Sequence, residues 1–184
     1  MIVSNLQNRN LANHPQTAQW EIRLDETEFM SWKSSLNEPC LFFDEASKGN
    51  PGLAGGGGVI ISTNGNVLSN YSWGLGTNSN NIAEFCGLLQ GLKIALSKGI
   101  DKLTVFGDSR LLIHALIRKK RPSHLKLEQI YQKIHFVSKN FQTIRFYHVL
   151  RGLNSMADKE SNHGTLLGRG VLLKYGIKCR CDIP

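Results

Sequence analysis

The alternation of apolar and polar positions in the first half of the chain predicts three consecutive β-strands. Residues 41–43 form a short apolar run that ends at a turn-rich stretch, and residues 59–61 form a second run after four glycines. Between residues 67 and 73, apolar and polar side chains alternate with the period of a strand that has one buried face. Asn64 and Gly65, between the second and third segments, are typical of a hairpin turn, so the three segments predict an antiparallel meander.

The second half of the chain combines helical and strand patterns. Apolar residues recur at spacings of three and four from about residue 81 to 98, which predicts a helix that ends at Gly99. The pattern then predicts strands over 103–107 and 143–149, helices over 109–118 and 126–139, and a last helix that begins at Ser155 with Asn154 as its N-cap. This order of elements, without an internal repeat, predicts a single α/β domain.

We expect this domain to occupy residues 39–165, with a less regular segment on either side. Residues 1–38 show no sustained periodicity and are predicted to be a linker or a weakly ordered N-terminal segment, and residues 166–184 are predicted to be a C-terminal extension. Three apolar residues of the first segment are candidates for docking on the domain: Trp20, Met30 and Trp32. Five apolar residues of the last segment are candidates for covering one edge of the sheet: Leu166, Leu167, Val171, Leu172 and Leu173.

The charge balance favours a polyanionic partner. Lys and Arg total 22 against 14 Asp and Glu, which gives a formal net charge of +8. A basic surface of this kind is typical of nucleic-acid-binding domains, although many basic domains bind no nucleic acid.

The cysteines and the absence of export signals indicate an intracellular protein, in the nucleus or the cytoplasm. The N-terminus has no continuous apolar segment of the signal-peptide kind, and no run of about 18 apolar residues predicts a membrane span. Four cysteines too scattered for a disulfide framework fit a reducing compartment. Cys179 and Cys181 are either half of a metal or redox site or incidental residues near the chain end.

Four acidic residues fall at the ends of predicted elements: Asp44, Glu84, Asp108 and Asp158. Hard divalent cations such as Mg²⁺ prefer oxygen ligands, and two such ions about 4 Å apart can promote phosphodiester hydrolysis. Each acid also has an ordinary structural explanation as a strand end, a turn residue or a partner of a helix dipole. The spacing of the acids alone does not decide between these interpretations.

The residues around the acids resemble type 1 ribonuclease H domains, especially those of plant retroelement reverse transcriptases. Residues 43–52 (FDEASKGNPG) and 54–60 (AGGGGVI) are similar to the first hairpin of that family. Residues 77–85 resemble its TNN-x-AE(Y/F) segment, residues 106–109 its GDS segment, and residues 148–158 its HV-x-R-x-x-N-x-x-AD block. The four blocks occur in the family's order over about residues 40–165.

The resemblance implies a ribonuclease H-like fold with a five-stranded mixed sheet, three strands antiparallel and then two parallel, and helices on both faces. It also implies a nuclease that hydrolyses the RNA strand of an RNA/DNA hybrid by two-metal-ion catalysis. The four acids would bind Mg²⁺, with Mn²⁺ as an alternative ion. His148 matches the position of the family's helper histidine, which moves protons near the leaving group, but its period-two pattern fits a histidine held against the core equally well.

The same blocks suggest where nucleic acid binds. The first group of candidate contacts is the loop beside Asp44, with Ser47, Lys48, Gly49 and Asn50. The second group is two asparagines before Glu84, Asn78 and Asn81. The third group is a basic run before a proline, with Arg118, Lys119, Lys120 and Arg121. Turn residues, helix caps and a solvated loop are the alternative explanations of these three groups. The expected partner is an RNA/DNA hybrid, with no membrane contact and a monomeric protein.

Two positions depart from the family pattern and raise a second hypothesis. Glu45 replaces the usual glycine after the first aspartate and adds a negative charge where RNA would approach. Glu160 replaces an apolar residue in the last helix, which predicts a looser helix around Asp158. The alternative function is therefore a catalytically weakened module that binds nucleic acid, and a third is a nuclease of another ribonuclease H-like branch.

Overall fold

The computed structural model describes residues 20–184, and a mixed sheet forms its centre. Its strands are β1 (Cys40–Gly49), β2 (Gly52–Ile61), β3 (Val67–Asn78), β4 (Lys102–Gly107), β5 (Thr143–His148), β6 (Val171–Lys174) and β7 (Ile177–Arg180). Its helices are α1 (Glu26–Ser34), α2 (Asn80–Ser97), α3 (Arg110–Arg118), α4 (Leu125–Ser138) and α5 (Ser155–Gly164). The strand order is β5–β4–β1–β2–β3–β6–β7. No helix of the described part is long and apolar enough to cross a bilayer.

The central five strands have the expected arrangement, but the predicted number of strands is wrong. β1, β2 and β3 pair antiparallel, and β4 and β5 join β1 in parallel, as the resemblance implies. Two further strands extend the sheet, because β6 pairs antiparallel with β3 and β7 with β6. Each has only four residues, too few to show a period in the sequence. Residues 166–184 therefore contribute two strands to the sheet, with Leu172 buried between β3 and β7 and Leu166 72% exposed.

The prediction of a linker over residues 1–38 is wrong for its described part, residues 20–38. The backbone of Trp20 and Ile22 forms two 2.8 Å hydrogen bonds with His148, so this segment lies beside β5. Phe29 and Trp32 of α1 are buried against Phe42 and Phe106. The helix buries only these two side chains, which is too few to produce a clear helical period. Trp20 and Trp32 dock as the sequence suggested, whereas Met30 is half-exposed, and residues 1–19 lie outside the described part.

Two hydrophobic cores, one on each face of the sheet, account for the α/β architecture. The larger core packs α2 and α4 against residues such as Leu41 and Phe43 of β1. The smaller one packs α1 and the start of α5 against Phe42 of β1 and Phe106 of β4. Helices therefore cover both faces, as the resemblance implies, and β1 lies between the two cores.

Three consecutive glycines of β2, at residues 55–57, allow helices to approach both faces of the sheet very closely. A Cβ atom on Gly57 would lie 2.3 Å from the backbone nitrogen of Ser161 in α5, and one on Gly55 would lie 2.4 Å from the Ser161 oxygen. On the opposite face, a Cβ on Gly56 would lie 3.0 Å from Cα of Gly87 in α2. Since real Cβ atoms do not tolerate such distances, only glycine permits this packing, which brings α2 and α5 next to β1 and β2.

The predicted loosening of the last helix by Glu160 is wrong. Its carboxylate accepts a 3.1 Å hydrogen bond from Asn70 Nδ2 and a 2.6 Å hydrogen bond from Ser72 Oγ. Both partners are on β3, so Glu160 attaches α5 to the sheet by polar contacts instead of apolar ones. The helix continues to Gly164, well past this position.

Candidate active site

Three of the four predicted acids converge at one point. Asp44 lies in β1, Glu84 one turn into α2, and Asp108 directly after β4. One carboxylate oxygen of each lies within 4.8 Å of those of the other two. Asp44 and Glu84 are buried, with 3% and 5% of their surface exposed, and Asp108 is half-buried. The parallel pairing of β1 with β4 places the first and third acids side by side, and the close approach of α2 supplies the second.

The electrostatics of this cluster favour a bound cation. Burial, together with the charge of Asp108, raises the pKa of Asp44 to about 8. Burial and the charge of Asp44 raise the pKa of Glu84 well above its usual value. Asp44 Oδ1 accepts a 2.8 Å hydrogen bond from the Glu45 backbone, but Asp44 Oδ2 and Glu84 Oε1 accept none from the described residues. Buried carboxylate oxygens without donors suit a hard divalent ion, so the residues present fit a metal site.

Asp158, the fourth predicted acid, lies outside the three-residue cluster. It is in the first turn of α5, and its Oδ1 is 3.3 Å from Nη2 of Arg151, in the short 3₁₀ turn before that helix. The pKa of the Arg151 guanidinium is raised most by its hydrogen bond to Asp158. The negative charges of Asp158, Asp44 and Asp108 raise it further. Arg151 is thus an exposed cation beside the acids. Its motif block was recognised in the sequence, but no role was predicted for it.

Glu45 adds a fifth carboxyl group to this region. It is half-buried, and burial followed by the charge of Asp108 raises its pKa, while Arg151 acts in the opposite direction. The concern that a side chain here adds negative charge beside the site is therefore supported. The guanidinium of Arg151 offsets part of that charge.

Asn154 connects α5 to the strand that carries Asp44. The sequence predicted a capping role, but its side chain makes no capping hydrogen bond. Its Nδ2 instead donates a 2.9 Å hydrogen bond to the buried carbonyl of Phe43, directly before Asp44. The side chain therefore fixes the start of α5 against β1, a contact that sequence reasoning missed because an asparagine before a helix usually caps it.

Comparisons with known proteins place this arrangement in a family. A family model described as "Reverse transcriptase-like" matches residues 42–164. The chain belongs to this family. The ribonuclease H domain predicted from the four motif blocks is confirmed by this match together with the similarities below.

The relatives of this reverse transcriptase-like chain include proteins that are named as ribonucleases H. A bifunctional protein of Mycobacterium tuberculosis is 32% identical over 120 residues, which are 65% of this chain and 33% of the relative. This chain therefore matches only a third of that relative's length. Ribonuclease HI of Halobacterium salinarum is 31% identical over 66% of this chain and 61% of its own length.

Solved structures show the same fold. The crystal structure of ribonuclease H1 from Halobacterium salinarum superimposes with a TM-score of 0.66 at 29% identity, covering 69% of this chain and 96% of the other. A ribonuclease H1 crystallised in complex with an RNA/DNA hybrid gives a TM-score of 0.65 at 27% identity, covering 70% and 96%. The ribonuclease H-like fold is therefore shared over about 70% of this chain.

His148, the candidate helper histidine, lies at the edge of the acid cluster. It ends β5, and its Nε2 is 3.1 Å from the backbone oxygen of Asp108. The ring of Trp20 packs edge-on against it at a centroid distance of 6.2 Å, and His148 is half-buried. The sequence left His148 as either a helper histidine or a histidine held against the core. In the structure its side chain is held by packing and also lies next to the backbone of Asp108. Its part in proton transfer stays a prediction.

The first group of predicted nucleic-acid contacts lies at the β1–β2 hairpin. Lys48, Gly49 and Asn50 are exposed, and the Ser47 hydroxyl donates a hydrogen bond to the Gly49 carbonyl. Asn50 Oδ1 accepts a 3.2 Å hydrogen bond from the backbone of Asn80, at the start of α2. This contact holds the hairpin beside the helix that carries a catalytic acid, so its surface is available next to the acid cluster.

The second group of predicted nucleic-acid contacts consists of one buried residue, Asn78, and one exposed residue, Asn81. Asn78 is buried, and its side chain donates to the Leu75 carbonyl at 2.8 Å and lies 3.4 Å from Lys126 Nζ, so it is used inside the protein. Asn81 is exposed on the first turn of α2, while Ser79 caps that helix. Only Asn81 presents an exposed side chain to a ligand.

The basic run lies at the end of α3, where all four side chains are exposed: Arg118, Lys119, Lys120 and Arg121. One of them is paired, since Arg121 Nη1 lies 3.7 Å from Glu128. The other three are without an ion pair among residues 20–184, which is compatible with either phosphate binding or a solvated loop. No group of three metal ligands in the described chain includes Cys179 or Cys181, which are both free thiols.

Proposed function

We propose that this chain is a metal-dependent endonuclease that hydrolyses the RNA strand of RNA/DNA hybrids. The observation that carries the proposal is the convergence of Asp44, Glu84 and Asp108, with two buried carboxylate oxygens that accept no hydrogen bond from the described residues. The similarity to ribonucleases H, one of them crystallised with an RNA/DNA hybrid, supports the choice of substrate.

The residues of the chain divide the chemistry among themselves. Asp44, Glu84 and Asp108 would hold Mg²⁺ or Mn²⁺, with Asp158 as a further ligand that must leave Arg151 to reach the ion. Two such ions would activate a water molecule and stabilise the leaving oxygen. Lys48, Gly49 and Asn50, which are exposed, would position the RNA backbone together with the half-buried Ser47. His148, whose Nε2 lies 3.1 Å from the backbone oxygen of Asp108, would move a proton at the edge of the site.

The test is cleavage of a labelled RNA/DNA hybrid in Mg²⁺ or Mn²⁺, compared with single-stranded RNA, duplex RNA and duplex DNA. We expect cleavage of the hybrid alone, lost in Asp44→Asn protein prepared in the same way, which excludes a contaminating nuclease. Asp108→Asn should abolish cleavage but preserve or tighten binding, because it removes negative charge facing phosphate. If that variant loses binding and cleavage together, the assignment of Asp108 to the metal site is wrong.

A second candidate is a module that binds the hybrid without cleaving it. It is favoured by the extra carboxyl of Glu45 and by the engagement of Asp158 with Arg151. Hybrid binding without metal-dependent cleavage by the unmodified protein would select this function. A Glu45→Gly variant that gains cleavage would show that this one side chain had suppressed the chemistry.

A further inference from the structure

A short segment ahead of α1, residues 20–25, pairs with the end of β5 at His148. The His148 backbone donates a 2.8 Å hydrogen bond to the Trp20 carbonyl, and the Ile22 backbone donates one of 2.8 Å to the His148 carbonyl. Glu21, between these two donors and acceptors, forms a parallel bridge with His148. The backbone of His148 is therefore held at the outer edge of the sheet by residues that the family match does not cover.

The imidazole of His148 has two contacts, and one of them comes from the same segment. Its Nε2 lies 3.1 Å from the backbone oxygen of Asp108. The Trp20 indole packs edge-on against the ring, with a centroid distance of 6.2 Å and an interplanar angle of 73°. Trp20 is 8% exposed and also packs on His114 of α3, whose ring centroid is 5.5 Å away. A buried indole in this position restricts the rotation of the imidazole and keeps Nε2 next to Asp108.

Arg110 attaches the segment to the part of the chain that follows Asp108. It begins α3, two residues after that acid. Its Nη2 lies 2.8 Å from Glu21 Oε1, and its guanidinium carbon lies 5.7 Å from the Trp20 ring centroid. Exposed ion pairs of this kind add little stability, but they fix the direction of the segment. The segment thus contacts two parts of the site, the end of β5 and the start of α3.

These contacts link a residue outside the family match to the proton chemistry of the site. We infer that Trp20 is a positioning residue, which holds the His148 imidazole beside Asp108 in the place where that imidazole moves a proton during hydrolysis. Trp20 takes part in no chemical step itself, and its effect on the reaction passes through His148. This role rests on the proposed function, since it takes His148 to move a proton in hybrid cleavage.

The experiment tests whether Trp20 acts through His148, by single-turnover cleavage of an RNA/DNA hybrid in Mg²⁺. The rate at saturating protein, and the protein concentration that gives half of it, are measured for Trp20→Leu, His148→Ala and the variant with both changes. Trp20→Phe, which keeps an aromatic ring, is the conservative variant. Trp32→Leu, with and without His148→Ala, is the matched control. Trp32 is also a buried tryptophan ahead of β1, but it packs on Phe106 and Tyr147 in the smaller core.

We expect the effects of Trp20 and His148 on the saturating rate to be non-additive. His148→Ala should lower this rate by about 10²-fold and Trp20→Leu by about ten-fold, with little change in the half-saturating protein concentration. Trp20→Phe should restore most of the rate. In the His148→Ala background, Trp20→Leu should change the rate by less than about two-fold, because no imidazole is left to position. Trp32→Leu should have the same effect in both backgrounds.

The inference is overturned if Trp20→Leu lowers the rate equally with and without His148, since Trp20 would then support only the fold. An undiminished rate in His148→Ala or in Trp20→Leu, or equal losses in Trp20→Leu and Trp20→Phe, overturns it as well. If circular dichroism shows that Trp20→Leu is unfolded, Trp20→Met takes its place in the same comparison. All of these outcomes leave hybrid cleavage by the unmodified protein intact. Absence of that cleavage would instead refute the proposed function, and this inference with it.

Discussion

Replacement of one buried ionisable carboxyl group of the acid cluster by a neutral amide should stabilise the metal-free protein. In the folded chain, burial and the neighbouring Asp108 raise the pKa of Asp44 from 3.8 to about 8. A carboxyl group whose pKa is higher in the folded state than in the unfolded state favours folding less as the pH rises between those two values. Asp44 therefore has no unfavourable effect on the free energy of folding below about pH 4, and its full unfavourable effect above about pH 8.

The magnitude follows from the proton that the folded protein must retain. At pH 7 the folded Asp44 carboxyl is mostly protonated, whereas the unfolded one is ionised, so the penalty is about 3.2 pH units at roughly 1.4 kcal/mol each, or about 4 kcal/mol. Asn at this position is neutral at every pH, and its Oδ1 can still accept the hydrogen bond from the Glu45 backbone. We expect Asp44→Asn to recover a large part of this energy in the metal-free protein.

The assay is urea unfolding in the presence of EDTA at pH 4, 5.5, 7 and 8. The difference in unfolding free energy between Asp44→Asn and the unmodified protein should be near zero at pH 4 and should rise towards pH 8. Asp101→Asn, at an exposed position, serves as the control and should show no such trend. With saturating Mg²⁺ the difference in unfolding free energy should shift in favour of the unmodified protein, since an ion that binds only the folded state stabilises that state. A variant that is equally or less stable at every pH in EDTA would refute the reasoning.

Three further changes test the packing and the charges around the site. Gly57→Ala places a Cβ against the backbone of α5 and should cost about 1 to 3 kcal/mol or more in urea unfolding, and an unchanged unfolding midpoint would contradict the close packing. Asn154→Ala leaves the Phe43 carbonyl buried without its donor and should cost about 1 to 3 kcal/mol in the same measurement; Ser155→Ala, at an exposed neighbour, is its control. Arg151→Ala removes a cation that competes for Asp158 and should tighten Mn²⁺ binding about two- to five-fold in calorimetry, whereas weaker binding would show that the guanidinium supports the metal site.

The sequence predicted the central domain and the acid cluster because both depend on residues that are informative on their own. Asp44, Glu84 and Asp108 were predicted because each lies in a recognisable sequence motif at the end of a predicted element. The parallel pairing of β1 with β4 then brings Asp44 and Asp108 together. The position of Asp158 could not be predicted in the same way. Whether a carboxylate points at its neighbours or at a cation depends on side-chain geometry, and Arg151 lies seven residues away in a different element.

The outer parts of the fold were predicted less well for a different physical reason. α1 buries only Phe29 and Trp32, and β6 and β7 have four residues each, so neither segment repeats an apolar pattern often enough to be recognised. Their stability comes from docking on a sheet that the rest of the chain forms. Contacts such as those of Trp20 with His148 are tertiary and leave no periodic signal.

The prediction about Glu160 failed because one substituted position was judged without its partners. A carboxylate in place of an apolar residue destabilises a buried helix only when it has no hydrogen-bond donor. In this chain Asn70 and Ser72 of β3 both donate to Glu160, and the glycines of β2 bring α5 close enough for those bonds to form. The altered residue and its donors therefore act as one unit that holds α5, and with it Asp158, near the acids. The loss of an apolar residue here is no argument against an active site.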